Sequence, residues 1–458
     1  MDGTGTSLLG RRSSNWFFRY CDTGVRLERR GSRPHPWSIE TPSAHILFVK
    51  RSSAMMSRLC AYGLALAGLT CVASAADLLV PEQYATIQAA IDAAVDGDSV
   101  VIADGVYTGA GNRNLSFAGK AITVRSASGP AKCIIDCQAS PEHPARGFHF
   151  NSGETSTSVL DGLTITGGDT LQGAIADQFN GGAILCNNFS SPTVQNCVIT
   201  GNNAACWGGS FCCTNASPMV INCIFTDNTV GDDGGAFFAW QNSNPTLVNC
   251  LFVGNVADGT GGAITNFGGG ASTIINCTIA DNEALWGSGI YGLGTTVLNS
   301  IVWNNTSINL NGNQIDGGSL QVTDSIVEGG FSGINNADVD PQFVDAANGN
   351  YALLAGSPAI DSGDSTLLPS DVTTDLLGQD RIVDGNHDLV PVVDRGAIEN
   401  QPACPIDLDG DGSIGAADLA SLLSSWGSNP GHPADLDGNG LVNAADLANM
   451  LSHWGACE

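Results

Sequence analysis

Near its C-terminus the chain writes one pattern of carboxylates twice. Asp407, Asp409, Asp411, Ser413 and Asp418 stand at positions 1, 3, 5, 7 and 12 of a loop that begins DLDGDG, and Asp435, Asp437, Asn439, Leu441 and Asp446 hold the same positions 28 residues later. Alternate side chains of such a loop converge on one point. Gly412 and Gly440 at position 6 allow the sharp turn, the position-7 carbonyl needs no particular side chain, and the last carboxylate comes from a starting helix. An all-oxygen donor set at this spacing suits a hard divalent cation, so two calcium sites are expected. Asn439 supplies a neutral oxygen and leaves the second site one charge poorer. Ile414 and Val442, at position 8, are expected to meet as paired loops do. Behind each loop, Leu419, Leu422, Leu423 and Trp426, then Leu447, Met450, Leu451 and Trp454, keep i, i+3, i+4, i+7 spacing and predict an amphipathic helix. Helices of about nine residues bury too little alone, so metal and a staple must add stability. Cys404 and Cys457 bracket the unit and are placed to form that staple.

Other side chains able to do chemistry are sparse. Asp232 and Asp233 form the best carboxylate pair, with Asp227, Asp258 and Asp281 on neighbouring repeats. Glycoside hydrolysis needs only two carboxylates at one of two separations, which makes this pair a catalytic candidate; the bland reading is a solvated turn. Trp207, Trp240, Trp286 and Trp303 sit in or beside successive turns, where exposed indoles stack on sugar faces or, equally, cover coil ends. No Lys or Arg occurs between Arg146 and Arg381. An arginine base, or a cationic partner for uronate carboxylates, is therefore excluded from the central coils.

The elements that must position these groups follow from a repeat. The anchors Asn196-Cys197, Asn222-Cys223, Asn249-Cys250, Asn276-Cys277, Asn299-Ser300 and Asp324-Ser325 are spaced by 26, 27, 27, 23 and 25 residues. Beside them runs a column of GGAI-like elements at Gly181, Gly208, Gly234 and Gly261. A period of this length leaves no room for an ordinary helix, only for three short strands and their turns, one coil of a parallel β-helix. About ten coils between residues 98 and 345, each adding ~4.8 Å, give a rod of order 50 Å. Cysteine fills the core as a small apolar side chain, with mostly free thiols expected. The asparagine before it tolerates left-handed φ at a tight turn, and its amide can bond the next along the rod. Upstream, Ile87, Ala90, Ile91 and Ala94 keep helical spacing behind a Thr86 cap, and Ser99 to Ile102 reads as a strand.

Charge and export frame the whole. The 458 residues carry 17 Lys and Arg against 45 Asp and Glu, and ten of those bases lie at or before Arg58. From Asp77 onward, 7 basic and 41 acidic side chains remain, a surface that repels nucleic acid and anionic membranes and attracts divalent cations. Residues 55–76 have the layout of a secretory signal: Arg58, an apolar run from Leu59 to Val72, then Ala73-Ser74-Ala75. A signal works at a true N-terminus, so residues 1–54 are expected to be an extension produced by start-site choice. A membrane anchor is the alternative, for which the run falls short of the ~20 residues that span a bilayer. The twelve cysteines that follow form an even set for an oxidising compartment.

These motifs carry resemblances. The stretch from Tyr84 resembles the opening of the pectin-lyase-like superfamily of right-handed parallel β-helices. The GGAI and CxFxxN elements (Phe225 to Asn228, Phe252 to Asn255) resemble repeats of bacterial polymorphic outer-membrane proteins and autotransporter-like adhesins. DPQFVD at Asp340, GSPAIDSGD at Gly356, DLLGQDR at Asp375 and VDRGAIE at Val393 resemble the choice-of-anchor Q region that closes many secreted bacterial β-helices. Of the motifs that the superfamily's hydrolases imply (NTD, a double Asp, a GHG-like histidine, RIK), only the double Asp is present. The tandem loop-helix units resemble a type I dockerin domain, which implies a cohesin partner and surface assemblies for polysaccharide breakdown. Positions 10 and 11, where that family reads its partner with Ser or Thr, are Ala416-Ala417 and Ala444-Ala445. A calcium-dependent docking module is thus the safer expectation.

The expected architecture is an all-β, right-handed parallel β-helix solenoid over 77–345 with a cap helix and a closing region at 346–402. A small all-α dockerin-like calcium-binding domain follows at 403–458. The expected protein is secreted or on the cell surface and binds carbohydrate or adheres, rather than acting as an enzyme. A glycoside hydrolase using surface Asp residues and a purely structural rod remain the alternatives.

Overall fold

The computed structural model describes residues 75–140, 142–170, 179–308, 313–401, 404–410 and 412–456. The extension 1–54 and nearly all of the expected signal lie outside the described residues, as do Asp411 and Cys457. Among the described residues no helix is long and apolar enough to cross a membrane.

The chain winds into a parallel β-solenoid. Each short strand pairs in register with its equivalent one repeat later, so that Ile199, Phe225, Phe252 and Ile279 stand over one another. Four sheets of 10, 9, 7 and 5 strands line the rod. The expectation of three strands per coil misses the five-stranded sheet, whose strands are two residues each, such as Thr229–Val230. Its inward positions hold Ala204, Val230, Ala257 and Ala284, small side chains that form their own cluster.

Local chemistry sets the corners. Asn196, Asn222, Asn249, Asn276 and Asn299 all adopt left-handed φ between 48° and 53°, a region asparagine tolerates better than most residues. In the Gly-Gly pairs the first glycine is left-handed, as at Gly208 and Gly234. The second has no space: a Cβ on Gly209 would collide with the Gly235 carbonyl, and one on Gly235 with that of Gly262. Helix α1 (Ile87–Ala93) closes one end, with Thr86 Oγ1 accepting from Ala89 N at 3.3 Å and Ile87, Ala90 and Ile91 fully buried. At the other end Phe331 packs on the core and Asn336 Oδ1 accepts from Ser325 N.

The core is stacked in columns. Cys197, Cys223, Cys250 and Cys277 are fully buried and free, as expected. Cys206 and Cys404 are disulfide-bonded. Phe225 and Phe252 stack at 4.6 Å with rings 5° from parallel. A polar column runs beside the apolar ones. The Nδ2 of Asn202, Asn228, Asn255 and Asn282 donates in turn to Oδ1 of Asn228, Asn255, Asn282 and Asn305, at 3.1, 2.9, 2.9 and 2.8 Å. Asn305 passes the chain to Gln314, which donates to Glu328. Each rung also bonds backbone: Asn255 Nδ2 donates to Phe225 O and Asn228 N to Asn255 Oδ1.

Residues 343–400 run back along the rod as a strap. Its carbonyls at Thr374, Asp394 and Asp364 accept from the corner amides of Asn249, Asn276 and Asn299 at 2.8, 2.9 and 2.9 Å. Side chains that alternation turns outward, Leu251, Ala280, Ile301 and Ile326 among them, are covered by Tyr351, Leu353, Ala359, Ile360, Ala397 and Ile398. Within the strap Arg381 and Glu399 form an ion pair at 3.2 Å with both side chains fully buried. Three carboxylates, of Asp375, Asp394 and Glu399, share that single guanidinium. Burial, with Asp394 beside it, pushes Glu399 up to about 9 against the pull of Arg381. Burial likewise raises Asp394 to about 7 and Asp361 to about 6.

Replacing Asn255 by Ala strands the backbone N–H and one Nδ2 donor of Asn228, while Asn282 Oδ1 keeps the Asn255 backbone N–H, and should cost roughly 1–3 kcal/mol for each orphaned donor. Denaturant midpoints check this; a loss no larger than that of the exposed Asn244→Ala contradicts it. A second expectation concerns pH. Carboxyls whose folded pKa lies above the unfolded value hold more protons folded than unfolded, so their contribution is present below pH 4 and is lost as pH rises toward 9. Hydrogen exchange over residues 375–399 should accelerate from pH 5 to pH 9 beyond the intrinsic change; slower opening at pH 9 reverses the sign.

Candidate cation loops and the aromatic face of the rod

The tandem loops fold alike. In the first, Asp407 Oδ2 accepts from Gly412 N at 2.8 Å; in the second, Asp435 Oδ2 accepts from Gly440 N at 2.7 Å. Both glycines are left-handed, with φ of 85° and 84°, which is why position 6 is glycine. At position 12, Asp418 and Asp446 each accept from the residue before the helix, Gly415 N at 2.6 Å and Asn443 N at 2.7 Å. They also reach across the loop to Asp409 N and Asp437 N, both at 3.2 Å. Helices α2 (Ala416–Ser424) and α3 (Ala444–Ser452) start there, so one carboxylate ends the loop and caps the helix.

Ligand atoms of Asp407, Asp409 and Asp418 lie within 4.8 Å of one another, as do those of Asp435, Asp437 and Asp446. Asp418 and Asp446 are buried, and no Lys or Arg follows Arg395 to compensate them. Converging carboxylates, part buried and part exposed, without a cationic side chain fit a hard metal ion, with Asn439 and the Ser413 and Leu441 carbonyls as further donors. Asp411 lies outside the described residues. So does Cys457, while Cys404 is disulfide-bonded.

The module departs from expectation in three ways. It is not purely helical: Ser413–Ile414 pairs antiparallel with Gly455–Ala456, and Gly427–Ser428 with Leu441–Val442. Ile414 and Val442 share one core but do not pair with each other; each loop strand pairs with the strand after the other helix. The helical stripes are also only half used. Leu422 and Met450 are fully buried, whereas Leu423, Trp426, Leu451 and Trp454 stay about half exposed, 47–51%. A core of six buried side chains is too small to cover both stripes. Leu389 of the strap packs against that core.

On the rod, the seven-stranded sheet carries an aromatic face. Trp207 and Trp240 lie 4.4 Å apart, and Trp207 stacks on Phe238 at 5.4 Å and 6°. Phe267 and Tyr291 extend the row, at 6.1 and 5.2 Å. Trp286 sits in a turn, bridged to Thr260, and is 44% exposed. Trp303 lies elsewhere: it ends Ile301–Trp303 in the nine-stranded sheet and packs beside Phe343 of the strap. Sequence reasoning passed over Phe238, Phe267 and Tyr291. For Phe238 and Tyr291 the signal was available in register, since Leu185, Cys212, Phe238, Thr265 and Tyr291 form one outward column.

The carboxylates divide. Asp233 bridges to Trp207, one rung away, and its Oδ1 accepts from Thr260 N at 2.8 Å and Oγ1 at 2.7 Å. Burial raises its pKa, opposed by those two bonds. Asp258 is exposed, and Asp227 takes a bond from its neighbour Thr226. Asp281 is taken up by the strap, accepting from Tyr351 Oη at 2.5 Å and from Asn304. The fold thus defines a class, a parallel β-solenoid with a two-loop C-terminal module. The chain matches no family model, and no curated protein matches it.

Proposed function

We propose that this is a secreted or cell-surface rod that binds neutral polysaccharide on its aromatic face and is tethered through a calcium-organised, dockerin-like module. The observation that carries the reading is the row Trp207, Trp240, Phe267 and Tyr291, half-buried rings along one sheet, on a stretch without Lys or Arg from 147 to 380. Rings in a row offer stacking to the apolar faces of successive sugars, and the lack of cations favours neutral over acidic chains. The solenoid and its N-terminal cap helix support membership in the pectin-lyase-like, right-handed class.

Calcium is assigned to the loops by their donor chemistry, with two sites at Asp407 to Asp418 and Asp435 to Asp446. The paired half-exposed patches Leu423 with Trp426 and Leu451 with Trp454 support docking to a cohesin-like or other surface protein, in either of two equivalent orientations. A second reading is favoured by one observation: Asp233, a carboxyl held toward its acid form, adjoins Trp207. On this reading the protein is a glycoside hydrolase with Asp233 as acid and Asp232 as its partner.

A glycan array run beside a reducing-sugar assay separates these readings. Binding without sugar release is expected, and Trp240→Ala should weaken it about tenfold, or 1.4 kcal/mol; release that Asp233→Asn abolishes would move the protein to the hydrolases. Calorimetric titration should show two calcium sites, one of them lost in Asp446→Ala, and chelation should unfold the module while leaving the rod's circular dichroism intact. A module with an unchanged melting temperature in chelator would refute the metal assignment.

A further inference from the structure

Trp303 stands apart from the other indoles, and the place it occupies is hollow. In register below it is Ala280, a methyl group between Val253 on one rung and the indole on the next. The strap lays Phe343 across this step without filling it, and a cavity of about 340 Å³ remains. Its walls are Trp303, Phe343 and Leu354; Asp281, Asp340 and Gln342 stand at its polar edge. Asp281 is held in place by Tyr351 Oη, and Asp340 Oδ1 by the backbone N–H of Gln342 at 2.8 Å. Among the described residues the side-chain amide of Gln342 has no hydrogen-bond partner, and both Gln342 and Asp340 are exposed at the mouth.

We propose that this seam between rod and strap binds one neutral, hydroxyl-rich ring, a single sugar residue at a chain end or branch. Its volume is at the small end of ligand pockets, enough for one ring and too little for an extended chain. The indole offers an apolar face to ring C–H groups, while carboxylate oxygens and an amide offer acceptors and donors to hydroxyls. Asp281 and Asp340 disfavour an acidic sugar, since no Lys or Arg lines the cavity. The site is separate from the aromatic face and rests on the carbohydrate reading only for the class of ligand.

The test titrates the full chain with neutral methyl glycosides of hexoses and pentoses, with galacturonate and with choline, followed by calorimetry and tryptophan fluorescence. A neutral glycoside should bind saturably. Gln342→Ala, which removes no contact the fold uses, should weaken it about tenfold, and Trp303→Leu should abolish it. Trp240→Ala should leave this binding intact while polysaccharide binding falls, so failure of the aromatic-face reading is distinguishable from failure here. Absence of saturable binding by any neutral glycoside, preference for galacturonate or choline, or an unchanged Kd in Gln342→Ala overturns the proposal, whether or not Trp303→Leu folds.

Discussion

Stacking coils in parallel register places every side chain directly over its equivalent one rung away, and this constraint organises the rest of the molecule. Apolar columns profit from it, since Phe225 on Phe252 and Cys223 on Cys250 repeat one favourable contact. A buried polar column survives only if each member both donates to and accepts from the next. Asparagine meets that condition because its amide carries donor and acceptor on one planar group. The column from Asn202 to Asn305 runs with a single polarity, every Nδ2 pointing the same way along the rod. It ends where Gln314 hands its last donor to the Glu328 carboxylate, so the chain finishes on a charge that complements it.

A rod built this way has apolar exteriors to hide. Alternation turns Leu251, Ile301 and Ile326 outward, and on an isolated solenoid they would stand as exposed apolar side chains. The strap covers them and is anchored at the corner asparagines, whose left-handed turns leave the amides directed at its carbonyls. Its own interior concentrates negative charge around Arg381, an arrangement whose removal of one partner is costlier than its formation is favourable. The strap also decides which exterior side chains stay available. It takes Trp303 and Asp281 out of the open surface, and leaves the Trp207 to Tyr291 row uncovered as a surface of half-buried rings.

The C-terminal module works under the opposite condition, too little core rather than too much exterior. Six buried side chains and reciprocal two-residue strand pairs are a small foundation. Each half lends its strand to the other, so neither loop is complete without its twin. Buried carboxylates at Asp418 and Asp446 add an electrostatic cost that the proposed cations would offset, and binding them would tie folding to metal.

What sequence determined alone is what depends on local spacing. The coil period, the left-handed asparagines, the inward cysteines, helix α1 with its Thr86 cap and the converging loop carboxylates all follow from residue type and interval. The Asn202 column lay in the CxFxxN repeat in plain view, yet its burial depended on a fourth, two-residue sheet that periodicity does not announce. Tertiary structure alone decided the path of the strap, the separation of Trp303 from Trp207, the alliance of Asp281 with Tyr351 and the crossed strand pairs of the module. The physical reason is range: alternation says that a side chain leaves the core, but only the fold of residues a hundred positions away says whether it meets water or another part of the chain.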